Sequence, residues 1–176
     1  MDPPSVGIDV ALVSRLLAEQ FPDWVGLPLA PVASPGTDNA LFRLGDDLVV
    51  RLPRVDWAAG QARKEHAWLP RLAPALPLAV PVPLALGSPA QGYPWAWTVC
   101  RWITGRDAFV QPITDLAHAA GTLAAFLQAL WRIDTTGGPR SGEANNYRGV
   151  RLIHLDDRVR ACIAMLGDEI DAGATT

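Results

Sequence analysis

The chain has 176 residues, of which 49% are hydrophobic and 19% charged, and a formal net charge of −3. That length suits one ordinary domain or two small lobes, and that balance excludes wholesale disorder. The slight acidic excess is spread without blocks, which excludes the basic patch that a nucleic-acid or anionic-membrane partner needs.

The first predicted element is a helix capped by Asp9, with Val10, Val13, Leu16 and Leu17 on one face. Pro22 and Gly26-Leu27-Pro28 close it. Residues 29–34 read as extended, and Ser34-Pro35-Gly36-Thr37-Asp38-Asn39 as a turn-rich loop. The apolar runs 40–44 and 48–52, joined by Gly45-Asp46-Asp47, predict a β-hairpin. Asp56 is placed to cap a helix running to Leu72. Residues 69–87 are apolar but hold Pro70, Pro74, Pro77, Pro81 and Pro83, so they predict no membrane span. Strands are expected over 82–86 and 95–103, the second rich in aromatic and β-branched residues. Thr114 or Asp115 then caps an amphipathic helix, with Leu116, Ala120, Leu123, Leu127 and Leu130 at spacings of 4, 3, 4 and 3. A Gly- and Asn-rich loop leads to a last helix over 152–166 and a frayed tail from Asp168. Helix, strands, helix, strands, then helices only is an α+β order with an antiparallel sheet, not a doubly wound fold.

Two further observations bound the setting. Cys100 and Cys162 have neither metal-ligand spacing nor the number for a disulfide framework, which predicts a reduced, cytoplasmic environment. Met1-Asp2-Pro3-Pro4 lacks the basic and apolar regions of a signal peptide.

One pair of residues stands out chemically. Period-two alternation puts Leu48, Val50 and Leu52 on one face of their strand and Val49 with Arg51 on the other. On the next helix, Ala62, Glu65, Leu69 and Leu72 recur at spacings of 3, 4 and 3, so Glu65 belongs to the inward stripe. Isolated buried charges cost several kcal/mol each and are usually paired. An Arg51–Glu65 ion pair between sheet and helix follows. The alternative is Arg51 on a solvent-facing edge strand with its stem snorkelling, and Glu65 on the helix flank. Of the 15 basic residues, Lys64 is the one lysine and the rest are arginine. Lys64 points roughly 100° away from Glu65 around the helix axis, so it cannot readily take the place of Arg51.

A strand cation paired to a glutamate on the following helix is similar to the nucleotide-positioning pair of protein kinases. The local sequences resemble most the aminoglycoside phosphotransferase family. The matching segments are residues 34–44 (Ser34 to Leu44), Val49-Val50-Arg51-Leu52-Pro53-Arg54, residues 64–72 (Lys64 to Leu72), Leu78-Ala79-Val80-Pro81-Val82-Pro83 and Val99-Cys100-Arg101-Trp102-Ile103-Thr104-Gly105. The resemblance covers about residues 8–150 and rests on order and spacing rather than on one motif. It implies a protein-kinase-like small lobe over 1–104 and the first helices of an incomplete, truncated large lobe over 105–176. It implies that Arg51 contacts the α- and β-phosphates of ATP or GTP and that Glu65 holds it. Ser34, Gly36, Thr37 and Asn39 would line the loop over the phosphates, although with one glycine it is not the glycine-rich loop of protein kinases. Cys100, Arg101 and Ile103 would form the hinge that meets the purine edge through backbone groups. Arginine stands at position 51 where the kinase pattern has lysine, which keeps charge and adds a fork but alters geometry.

The implied activity is transfer of a γ-phosphoryl group to a hydroxyl of a small molecule, an aminoglycoside-type antibiotic or a metabolite. The family's catalytic loop, of the form His-Gly-Asp-x-x-x-x-Asn, and its Mg²⁺ aspartate are not found. His154-Leu155-Asp156 lacks the glycine and has Ala161 where asparagine belongs, and Asn146 is the last asparagine. Asp171-Ala172-Gly173 mimics a metal-binding Asp-x-Gly with no catalytic loop before it. No catalytic or metal-binding residue is therefore assigned, and the chain alone is expected to be inactive. The alternative reading is a non-catalytic nucleotide-binding or interaction module. A truncated large lobe should also expose apolar helix faces over 116–133 and 152–166 and so self-associate.

Overall fold

A computed structural model of the chain describes residues 7–166 apart from 35, 109, 143, 144 and 146. Met1 to Pro4, Pro35, Asn146, and the tail from Asp168 with Asp171-Ala172-Gly173 lie outside the described residues. The chain forms two compact units, up to Ile133 and from Asp134.

The first unit is built on a five-stranded antiparallel sheet in the order β1-β2-β3-β5-β4. Its strands are β1 (Leu29–Pro31), β2 (Asn39–Leu44), β3 (Leu48–Pro53), β4 (Pro83–Gly87) and β5 (Trp97–Arg101). The β2–β3 hairpin pairs Leu41 with Arg51, Phe42 with Val50 and Arg43 with Val49. Gly45 takes the positive φ of 56° that its tight turn needs. β5 then pairs Val50 with Val99 and Arg51 with Thr98.

This register sorts the side chains into two faces. Ala40, Phe42, Leu44, Val50, Leu52, Trp97 and Val99 form one core with Leu12, Val13, Leu16 and Leu17 of α1 (Val10–Gln20). Each such fully buried aliphatic side chain adds about 1.5–3 kcal/mol of hydrophobic stabilisation. Asp9 caps α1 by accepting the Leu12 N–H at 2.7 Å. The buried face of α1 differs from the expected one at one position: Leu12 is buried and Val10 is exposed, because the core lies beneath Leu12, Val13, Leu16 and Leu17.

The other face carries Arg43, Val49, Arg51, Thr98 and Cys100, and α3 (Gln61–Leu72) packs against β4 and β5. The helix expected over 56–72 is interrupted. A short α2 (Asp56–Ala59) precedes Gly60, and α3 starts after it. Asp56 is the first residue of α2 rather than its cap, and its carboxylate accepts the Trp95 indole N–H at 3.3 Å instead. The strand expected over 95–103 is shorter, because Tyr93 turns back to pair with Ala90 and regular pairing ends at Arg101.

After β5, residues 102–107 have no regular structure. Helix α4 (Leu116–Trp131) follows, capped by Asp115, which accepts the His118 N–H at 2.9 Å. The second unit holds a 3-10 turn over Leu152–Leu155 that runs into α5 (Asp156–Leu166). An Arg160–Asp156 pair at 2.7 Å closes one turn of α5. Among the described residues no helix is long and apolar enough to cross a membrane.

Candidate functional site

β3 and α3 meet through their charges. Arg51 Nη1 donates to Glu65 Oε2 at 2.8 Å. The side chains keep 20% and 29% of their exposure, so the pair is sheltered from bulk water without being sealed from it. Arg51 extends from β3 on the face shared with Val49, and the ladder sets Thr98 of β5 opposite it. Ala62, one turn before Glu65, is buried and fixes the rotation of α3 that brings Glu65 to the sheet. The guanidinium uses one nitrogen on Glu65, and its planar fork has further N–H groups to offer an anion.

Thr98 and Cys100 complete this face. Among the described residues Thr98 is the one buried polar residue, at 1% exposure, and its hydroxyl lies 3.6 Å from the Cys100 sulfur, which donates to it. Burial pushes the Cys100 thiol above its ordinary pKa, and the Thr98 hydrogen bond and the Arg51 charge offset this only in part. Cys100 is therefore a neutral, packing thiol rather than a nucleophile.

The remaining predicted site residues fall in two places. Ser34, Gly36, Thr37 and Asn39 lie on the connection from β1 into β2, with Asn39 as the first residue of β2. Gly36 N–H donates to the Ser34 hydroxyl at 3.2 Å and the Thr37 hydroxyl to Asp38 at 3.0 Å. Asp38 O accepts the Arg54 N–H at 2.8 Å, which ties the loop to the end of β3. Arg101 ends β5 and Ile103 follows it, both exposed, and Trp102 between them donates its N–H to Asp47 O at 2.7 Å. Thr98, Arg43 and Trp102 were not singled out from the sequence. The signal for Thr98 was available, since period two along β5 puts it on the face of Cys100. Among the described residues no group of three or more His, Cys, Asp or Glu side chains could hold a metal ion.

The profile of the phosphotransferase enzyme family matches residues 30–171. That is well over half of the chain, and the chain belongs to this family. No curated protein matches it. Among solved structures, the GDP complex of wild-type aminoglycoside 2'-phosphotransferase-IIIa superposes with a TM-score of 0.69 at 19% identity, covering 94% of this chain and 55% of that one. The GDP and kanamycin complex of APH(2")-IIia gives 0.65 at 19%, covering 92% and 54%. The gentamicin complex of APH(2")-IIa gives 0.53 at 17%, covering 93% and 52%. At these identities the likeness establishes the kinase-like fold, and the chain spans about half the length of those structures.

Proposed function

We propose that this chain is the nucleotide-binding part of a kinase-like phosphotransferase, which passes the γ-phosphoryl group of ATP or GTP to a hydroxyl of a small molecule. The Arg51–Glu65 pair at 2.8 Å carries this reading. It supplies a cation held in one orientation on a half-sheltered face, where it suits the α- and β-phosphates. Glu65 keeps Arg51 from folding back onto other acceptors. The loop with Ser34, Gly36, Thr37 and Asn39 covers the phosphates with N–H and hydroxyl donors. Cys100, Arg101 and Ile103 form the hinge, where the backbone at Arg101 and Ile103 meets the purine edge. The boundary between the lobes falls after residue 104, and the setting is cytoplasmic. The solved relatives named above hold GDP, kanamycin and gentamicin, which supports an aminoglycoside-type antibiotic, or a metabolite, as acceptor.

A bound nucleotide would normally bring Mg²⁺, which draws charge from the phosphates. The described residues fit the nucleotide better than the ion: they offer a phosphate-binding cation but no carboxylate cluster. No step is therefore assigned to Mg²⁺. No His-Gly-Asp loop occurs in these 176 residues, so they bind without turning over. Thermal unfolding with and without Mg-ATP or Mg-GTP tests the reading, since a ligand that binds only the native state raises its melting temperature. A rise with at least one nucleotide, together with negligible ADP or GDP release in a coupled assay, is expected. No rise with either nucleotide, or robust turnover, would overturn it.

A further inference from the structure

Arg43 has three attachments, and together they tie one corner of the sheet to the segment that follows β5. Its guanidinium carbon lies over the Trp102 ring, 4.2 Å from the centroid. Its Nε donates to Gly45 O at 3.2 Å and its Nη2 donates to Asp46 O. Trp102 is held a second time, by the bond from its N–H to Asp47 O at 2.7 Å. Arg43 is half-buried, and among the described residues it pairs with no carboxylate. Its charge is thus directed at two turn carbonyls and the face of an indole.

The position of this clamp gives it a consequence. Arg43 sits opposite Val49 in the ladder, on the face that also carries Arg51. Trp102 stands between Arg101 and Ile103, at the start of a stretch without regular structure. Such a stretch has no ladder to fix its orientation. Holding Trp102 by both its peptide N–H and its ring leaves the flanking backbone with little freedom. A backbone already in place spares the ordering cost that a ligand would otherwise meet on binding.

We infer that Arg43 is a positioning residue for the base of the bound nucleotide, acting through Trp102 and the Gly45–Asp47 turn to fix the backbone at Arg101 and Ile103. This rests on the nucleotide-binding reading above. It assigns Arg43 to recognition of the base and leaves the phosphates to Arg51. The two effects are therefore separable.

The test uses the full chain with fluorescent N-methylanthraniloyl-ATP and -GTP as reporters. Adenosine or guanosine and magnesium tripolyphosphate serve as competitors. In Arg43→Ala the inhibition constant of the nucleoside should rise about fivefold or more, a range that matches loss of a sheltered cation–π contact and its hydrogen bonds. That of tripolyphosphate should change less than about twofold. Arg43→Lys, which keeps a cation near the ring but not the fork, should recover part of the nucleoside affinity. If wild type binds the reporters and Arg43→Ala binds nucleoside equally well, the inference is overturned while the nucleotide reading stands. If nucleoside and tripolyphosphate weaken together, Arg43 is merely structural and the inference is overturned too. If wild type binds neither reporter, both readings fall.

Discussion

Arg51 and Glu65 sit between two regimes of ion-pair energetics. Fully exposed pairs stabilise by a few tenths of a kcal/mol, whereas removing one partner of a buried pair costs several. With 20% and 29% of their side-chain exposure left, an intermediate value is expected. Glu65→Gln should lower the unfolding free energy by about 1–2 kcal/mol, read by urea titration at constant m-value. A change below a few tenths would mean that the pair holds nothing in place. At the same face, Cys100 offers a titration test. Burial raises its folded-state pKa, so below the ordinary thiol range native and unfolded chains both keep the proton. Above about pH 8.5 the unfolded chain releases its proton while the native state retains it, so stability falls as pH climbs towards the raised value. Native-state alkylation at pH 8.5 should label exposed Cys162 rapidly and spare Cys100, with the sites assigned by mass spectrometry. Equal labelling of both would contradict a buried, neutral Cys100.

The elements show where local pattern and tertiary packing agree. The β2–β3 hairpin and the inward stripe of α3 were legible because period two runs through the one and period 3.6 through the other, which made the Arg51–Glu65 pair one of two readings, beside a solvent-facing Arg51. The cap at Asp9 was legible too, and Asp115 as one of two candidates with Thr114, since a carboxylate before an apolar-periodic run suits that task. Asp56 defeated the same rule. Trp95, distant in sequence, takes its carboxylate, and no local pattern reports that. The clamp of Arg43 on Trp102 was hidden for the same reason, being a contact between β2 and the irregular segment after β5, far apart in sequence. Gly87 is a further case. It looks like an ordinary strand end, yet it faces Trp97 in the ladder, and a Cβ there would overlap the indole. Trp97 is fully buried and donates its indole N–H to Ser88 O at 3.2 Å, so it has little room to yield. Gly87→Ala should therefore destabilise the first unit by about 3 kcal/mol, at the upper end of overpacking costs. A melting temperature unchanged from wild type would show that the indole can move.

Across the whole molecule, apolar surface is distributed unevenly. The central strands bury Phe42, Leu44, Val50, Leu52 and Val99 on one face of the sheet and Val49 and Cys100 on the other. By contrast, α4 buries none of its residues and leaves Leu116 at 71% and Trp131 at 79% exposure. In the second unit, Leu152 and Met165 are 82% and 86% exposed. Exposed apolar surface of this extent favours association, and light scattering at tens of micromolar should show self-association that grows with concentration. A monodisperse monomer over that range would contradict it. The phosphate-binding role proposed for the Arg51–Glu65 pair, which lies on the sheet and α3, does not depend on that surface. Isothermal titration of wild type and Arg51→Ala with Mg-ATP and Mg-GTP tests that role most directly. Saturable binding by wild type to at least one nucleotide, weakened about tenfold or more in the variant, is the predicted result. Absence of binding by wild type, or equal affinity in a folded Arg51→Ala, would contradict it.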